Sequence, residues 1–262
     1  MDLDLTRFGS SFYDLIRVDH THLLPRFEVP EGAMAPSHVS APHGTTILAL
    51  KFQGGVVVAA DRQATEGYQI ASRHIEKVYK ADEYSAIAIA GAAGPCLEMV
   101  KLFQVELEHY EKLEGEVLAL EGKANKLAQM VRQNLPAAFQ GLVVIPIFAG
   151  YDLRKNEGRI FKYDVTGGRY EEGDYYATGS GGKDARNTLK KLYRVGMARE
   201  EALRLALEAL IDAAEEDVAT GGPDLVHGVY PSVKIVTQTG TSDLPEAEIR
   251  RICEMILNER RR

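Results

Sequence analysis

At residues 43 to 46 the chain reads His43-Gly44-Thr45-Thr46, and this short run is where the sequence offers chemistry. A cut between Gly44 and Thr45 would place a hydroxyl and a free α-amine on one residue. A neutral α-amine has an unperturbed pKa near 8, within reach of neutral pH, and is one of the devices that activate a threonine hydroxyl as a nucleophile. Glycine suits the position before the cut: without a Cβ the chain can bend until the Thr45 hydroxyl approaches the Gly44 carbonyl. Taken alone, Gly-Thr-Thr ahead of a strand more often marks a turn followed by β-forming residues. The elements on either side decide what the run is for.

Before it lies an irregular stretch. Pro25, Pro30, Pro36 and Pro42 are four of the ten prolines, and His20, His22, His38 and His43 are four of the seven histidines. Such a segment resists regular structure. After it the texture is that of a folded domain. Thr45 to Leu50, a turn through Gln53-Gly54-Gly55, and Val56 to Ala60 predict a β-hairpin. Further strands are expected at Ile75 to Lys80 and Ser85 to Ala90. Cys96, Val100, Phe103, Leu107 and Tyr110 then recur at helical spacing, and a second helix is expected from Ala124 to Leu135, ended by Pro136. Strands return at Leu142 to Tyr151, Arg159 to Val165 and Tyr175 to Ala177. Two helices follow, carrying Ala185, Leu189 and Leu192, then Leu203, Leu207, Leu210 and Ala214. Strand Val233 to Thr237 and a helix with Ile249, Ile252, Cys253 and Ile256 on one face close the chain.

Strands, two helices, strands, two helices, strand and helix is not the βαβ alternation of a parallel sheet. It predicts an α+β fold of two antiparallel sheets with helices outside both. The bulk numbers fit one sizeable core: 262 residues, 45% hydrophobic and 26% charged. A net charge of −7, with no basic block beyond Arg260-Arg261-Arg262, argues against nucleic acid as a partner, and that tail reads as a frayed, solvated helix end. No apolar run is long enough to cross a bilayer, and the opening Met1-Asp2-Leu3-Asp4 is not a secretory pattern, so a cytoplasmic protein with no membrane partner is expected. Cys96 and Cys253 are too few for a disulfide framework or a metal cluster and read as small apolar residues in helices; no metal or cofactor is expected.

With these features in place, Thr45 to Arg262 resembles the proteasome β-subunit family of N-terminal-nucleophile hydrolases. There the mature chain begins with a threonine in a strand, an aspartate follows the second strand, a lysine lies on a later strand, and glycines contact the substrate. Asp61 in Ala59-Ala60-Asp61-Arg62, Lys77 in Glu76-Lys77-Val78 and Gly91 in Ala90-Gly91-Ala92 match in order. So do Ser180 in Gly179-Ser180-Gly181 and Asp217 ahead of Ala219-Thr220-Gly221-Gly222. Thr220 to Leu225 and the long leader resemble the bacterial, actinobacterial-type members most. Two non-peptidase alternatives stand beside this one: a structural barrel subunit that never matures, and a small-molecule amidase of the wider N-terminal-nucleophile group.

The resemblance implies a four-layer αββα sandwich, with residues 1–44 as a propeptide removed by self-cleavage between Gly44 and Thr45 and 45–262 as the catalytic domain. It implies a threonine endopeptidase in which Thr45 attacks, Lys77 favours deprotonation and steadies the developing alkoxide, Asp61 holds that lysine, the Gly91 amide receives the oxyanion, and Ser180 and Asp217 support the threonine. Ala64, Ile75, Ile89 and Ala93 would line the specificity pocket, with Thr65 and the Gly91 to Ala93 backbone pairing the substrate as an added strand. That lining is apolar, so cleavage after hydrophobic residues is expected; in a shifted register Ile75 and Ile89 would be core residues facing away. The implied partners are an α subunit, other β subunits in heptameric rings, a ring ATPase that delivers substrates, and unfolded polypeptides. In actinobacterial relatives a ubiquitin-like modifier is implied as well.

Overall fold

The computed structural model describes residues 16, 18, 21, 44–66 and 69–261. Most of the proline-rich leader therefore lies outside the described residues. In chain order the domain runs β1 Thr46–Phe52, β2 Gly55–Ala60, β3 Ala64–Glu66, β4 Gln69–Ser72, β5 Val78–Asp82 and β6 Ser85–Gly91. Next come α1 Ala93–Glu114, α2 Leu120–Gln133, the single turn α3 Leu135–Ala138, β7 Val144–Asp152, β8 Glu157–Tyr163, β9 Arg169–Glu172 and β10 Tyr175–Gly179. Helices α4 Gly182–Leu192 and α5 Arg199–Glu216, strands β11 Ser232–Thr237 and β12 Gly240–Asp243, and α6 Glu246–Arg260 complete it.

Alternation along the first hairpin sets the layering. Leu48, Leu50, Phe52, Val57 and Ala59 face one way, into an apolar cluster shared with α4, α5 and α6. Ile47, Ala49, Val56, Val58 and Ala60 face the other way, against Ala86, Ala88, Ile147, Ala149 and Ile160 of a second sheet. A strand apolar on both faces must be covered on both. The outer face of the second sheet supplies Ile87, Ile89, Phe148 and Phe161 to a third cluster, under α1 and α2. The four layers are helices, sheet, sheet and helices, with the strand order β10-β1-β2-β11-β12 in one sheet and β5-β6-β7-β8-β9 in the other. All pairings are antiparallel. The expected αββα sandwich is the observed fold. No described helix is long and apolar enough to cross a membrane.

Several element boundaries differ from expectation, each for a local reason. Pro136 does not end the second helix; α2 stops at Gln133, and Pro136 sits in the first turn of α3, where a missing N–H goes unused. Strand β5 starts at Val78, so Lys77 stands just ahead of it, although the Lys77 carbonyl still accepts from the Ile89 amide at 3.0 Å. Strands β3, β4, β9 and β12 are short and polar and carry no apolar alternation to announce them. Arg260 is not a solvated end: it pairs with Asp212 and Glu215 and ties α6 to α5. Both cysteines are free and buried, as their helical positions suggested.

Candidate active site

Thr45 immediately precedes β1, an inner strand of its sheet, and the residue after β10 reaches it. Its carbonyl accepts from the Ser180 amide at 2.9 Å, and its own amide donates to Ser180 Oγ at 3.2 Å. The close approach of β10 depends on Gly179, where a Cβ would lie 1.7 Å from the Thr45 carbonyl oxygen at a φ of +100°. Gly44 is packed as tightly: a Cβ there would lie 1.8 Å from Ala219 Cβ, while its amide donates to Thr65 Oγ1 at 3.3 Å. The Gly44–Thr45 junction is therefore held on three sides, by Thr65, Ser180 and Ala219.

Behind it lies a buried ion pair. Lys77 Nζ donates to Asp61 Oδ1 at 2.8 Å and to the Gln63 carbonyl at 2.6 Å. Asp61 is fully buried, and its two oxygens accept from three backbone amides as well: Thr46 at 2.8 Å, Gln63 at 2.9 Å and Gly221 at 3.0 Å. A carboxylate taken out of water needs such partners. Burial lowers the Lys77 pKa below the ordinary lysine value, against the opposing pull of Asp61, Asp217 and Cys96. Cys96 lies in the first turn of α1, and the Lys77 charge opposes the effect of burial on its thiol. Burial pushes the Cys96 pKa up to about 12, so the thiol stays protonated at neutral pH.

Asp217 caps the end of α5, accepting from the Ala219 amide at 3.2 Å and the Thr220 hydroxyl at 2.5 Å. The arrangement thus has a threonine whose neighbour in sequence, Thr46, is bonded through its amide to a buried ammonium–carboxylate pair, with a second carboxylate near enough to affect the lysine, which suits activation of an oxygen nucleophile. Among the described residues no group of three or more His, Cys, Asp or Glu side chains is arranged to hold a metal ion.

The comparisons with known proteins bear on the whole of this framework. The family model described as proteasome subunit matches residues 41–226. The chain belongs to the proteasome subunit family. Relatives named proteasome subunit beta include that of Acidimicrobium ferrooxidans, 58% identical over 224 residues, which are 86% of this chain and 82% of the relative. Those of Streptomyces griseus, 54% identical over 259 residues, and Acidothermus cellulolyticus, 52% over 256, align with 98% and 96% of this chain and with 90% and 87% of their own lengths.

Within this proteasome-family framework hydrogen bonds join Thr45 to Ser180 and Lys77 to Asp61, Thr46 links the two pairs as the neighbour of Thr45 that bonds Asp61, and Asp217 joins through Thr220 and Thr46. Gly91 ends β6 with a φ of +129°, and a Cβ on it would lie 2.0 Å from the Val143 carbonyl oxygen, so no other residue fits there. Of the expected pocket residues, Thr65 contacts Gly44, Ala64 and Ile75 are half-buried, and Ala93 is exposed at the start of α1. Ile89 packs in the cluster under α1 with Cys96 and Met99, the core placement that the alternative register describes. Three residues of the cluster escaped sequence reasoning: Thr46, Gln63 and Thr220. Only Thr220 left a signal, standing three residues after Asp217, the spacing at which a hydroxyl turns back onto a preceding carboxylate.

Proposed function

We propose that this chain is the catalytic β subunit of a proteasome core particle, a threonine endopeptidase whose residues 1–44 are a propeptide and whose nucleophile is Thr45. The observation that supports the reading is that Thr45 bonds Ser180 while the next residue, Thr46, donates its amide to the Asp61 carboxylate that Lys77 pairs with. In the precursor the Thr45 hydroxyl attacks the Gly44 carbonyl carbon. The acyl group passes from nitrogen to oxygen, the nitrogen gains a proton, and water hydrolyses the resulting ester. The freed α-amine then acts as the base in turnover. It takes the hydroxyl proton as Thr45 Oγ bonds to the substrate carbonyl carbon, and returns it to the departing amine; water releases the acyl group by the same route reversed.

Lys77 supplies positive charge beside the nucleophile and Asp61 holds it in place. The Gly91 amide is assigned to the oxyanion, a donor of a kind worth about 3 kcal/mol. Ser180 and Asp217 orient the Thr45 nitrogen. Ala64, Ile75 and Ala93, with Ile89 behind them, favour an apolar residue before the cut, and Thr65 and the Gly91 to Ala93 backbone would receive the substrate as a strand once the leader has gone. The partners on this reading are α subunits, further β subunits in heptameric rings and a ring ATPase in the cytoplasm, the substrates being unfolded polypeptides. The test is to co-express the chain with its α partner, sequence the N-terminus of the β chain from assembled particles, and assay peptide hydrolysis. The expected first residue is Thr45. An N-terminus at Thr46, or an intact leader in active particles, would refute the assignment.

A further inference from the structure

Behind Thr45 a hydrogen-bonded chain runs in one direction. Thr220 Oγ1 donates to Asp217 at 2.5 Å, Thr46 Oγ1 lies 2.7 Å from Thr220 Oγ1, and the Gly181 amide donates to Thr46 Oγ1 at 3.0 Å. A hydroxyl has a single proton to donate. Because that of Thr220 is committed to the Asp217 carboxylate, Thr46 must be the donor between the two threonines. The order is therefore Gly181 amide, Thr46 hydroxyl, Thr220 hydroxyl, Asp217 carboxylate. Thr46 is fully buried and Thr220 is 4% exposed, so bulk water does not compete for these bonds. The Thr46 amide meanwhile donates to Asp61. One residue is thus tied to both carboxylates of the site, to Asp61 directly through its backbone amide and to Asp217 through its side chain and the Thr220 hydroxyl. Packing alone would accept valine at this position of a buried strand; the bonds require a hydroxyl.

We propose that the Thr46 hydroxyl is a positioning group for the reaction at Thr45, locking Asp217 and the turn that carries Ser180 into a single arrangement. This rests on the reading of Thr45 as nucleophile. Ser180 holds Thr45 at both its nitrogen and its carbonyl, and the next residue, Gly181, is the one whose amide Thr46 accepts. Without the hydroxyl the Gly181 amide loses its buried acceptor and Thr220 loses its donor, so both turns can relax. Displacements of about 1 Å at such a site lower rates about 100-fold.

The test uses full-length chain co-expressed with its α partner. Thr46→Val keeps the shape and removes the hydroxyl. Leader loss and kcat should each fall about 100-fold with KM nearly unchanged, and Thr46→Ser should recover kcat to within about threefold of the parent. Thr220→Val cuts the same chain at its next link, so the double variant should be no slower than the slower single one. Wild-type kcat in Thr46→Val overturns the proposal, as does a Thr46→Ser particle as slow as Thr46→Val, which would make the methyl group the important part. If Thr46→Val fails to assemble, Thr220→Val decides: a reduced kcat at unchanged KM supports the chain, and a wild-type kcat overturns it. Thr45→Ala run in parallel separates the two ideas. Activity retained in Thr45→Ala removes the nucleophile assignment, whereas an inert Thr45→Ala beside a wild-type Thr46→Val removes only the positioning role.

Discussion

Breaking the Asp61–Lys77 pair from its two ends should have unequal costs. Lys77→Met leaves the Asp61 carboxylate with three backbone amides, from Thr46, Gln63 and Gly221. Asp61→Asn leaves the Lys77 ammonium, 4% exposed, and also sets an amide NH2 against donors. If that NH2 replaces Oδ1 it meets Thr46 N–H and Lys77; if it replaces Oδ2 it meets Gln63 N–H and Gly221 N–H. Removing one member of a buried pair costs about 3 to 5 kcal/mol, and each buried donor left without an acceptor adds about 1 to 3 kcal/mol. Lys77→Met should therefore fall near the bottom of the first range, about 3 kcal/mol, and Asp61→Asn near about 6 kcal/mol. Both variants are made in a Thr45→Ala precursor, so that leader loss does not enter, and unfolded in urea under circular dichroism. With a slope of about 3 kcal/mol per molar, the midpoint of Asp61→Asn should lie about 1 M below that of Lys77→Met. Equal midpoints, or the reverse order, would refute the idea that backbone amides and not the lysine chiefly hold the carboxylate. Peptidase activity does not discriminate here, because either change in the active chain should abolish it.

Gly44→Ala should slow leader loss about 100-fold, because its Cβ collides with Ala219 and shifts the junction; Ala219→Gly in the same chain should recover part of the rate, read as precursor and mature bands over time. The two thiols, Cys96 and Cys253, each with burial driving its pKa up to about 12, should resist a thiol reagent at pH 7 in the native chain and react fully in denaturant; stoichiometric labelling of native protein would contradict their placement. Hydrogen bonds from Arg159 hold Glu121 and Glu171 below the ordinary carboxylate value. Their stabilising effect is present above the unfolded pKa, about 4.3, and is lost as pH falls through the depressed folded values, so Arg159→Met should flatten the acid limb of the stability curve. An unchanged limb would remove these two groups as its cause.

The architecture was legible wherever burial imposed a period. The two-residue alternation of Ile47 to Leu50 and Val56 to Ala60, and the helical spacing of Cys96 to Leu107 and Leu203 to Leu210, report what each face touches. Where strands are exposed that link fails, and β3, β4, β9 and β12 went unseen. The site divides the same way. Thr45 could be named from its residue type beside Gly44, and Asp61 and Lys77 from the resemblance, whose pattern they match in order. Thr46 and Gln63 could not: one is an ordinary strand former and the other contributes a backbone carbonyl to Lys77, and what makes each matter is a contact across the fold.

Chain ends ordinarily fray, because nothing beyond them shares the load. The end that cleavage before Thr45 would create is a different kind of terminus. It would belong to an inner strand of a five-stranded sheet, clamped by Ser180 on one flank and, through the Asp61 amide on the Thr46 carbonyl at 3.2 Å, by the residue after β2 on the other. A cut there severs the chain without freeing it. The new terminus would keep the coordinates it had as an internal residue, with no search or refolding between processing and the first turnover. Such an end would be as rigid as the core on which it is mounted.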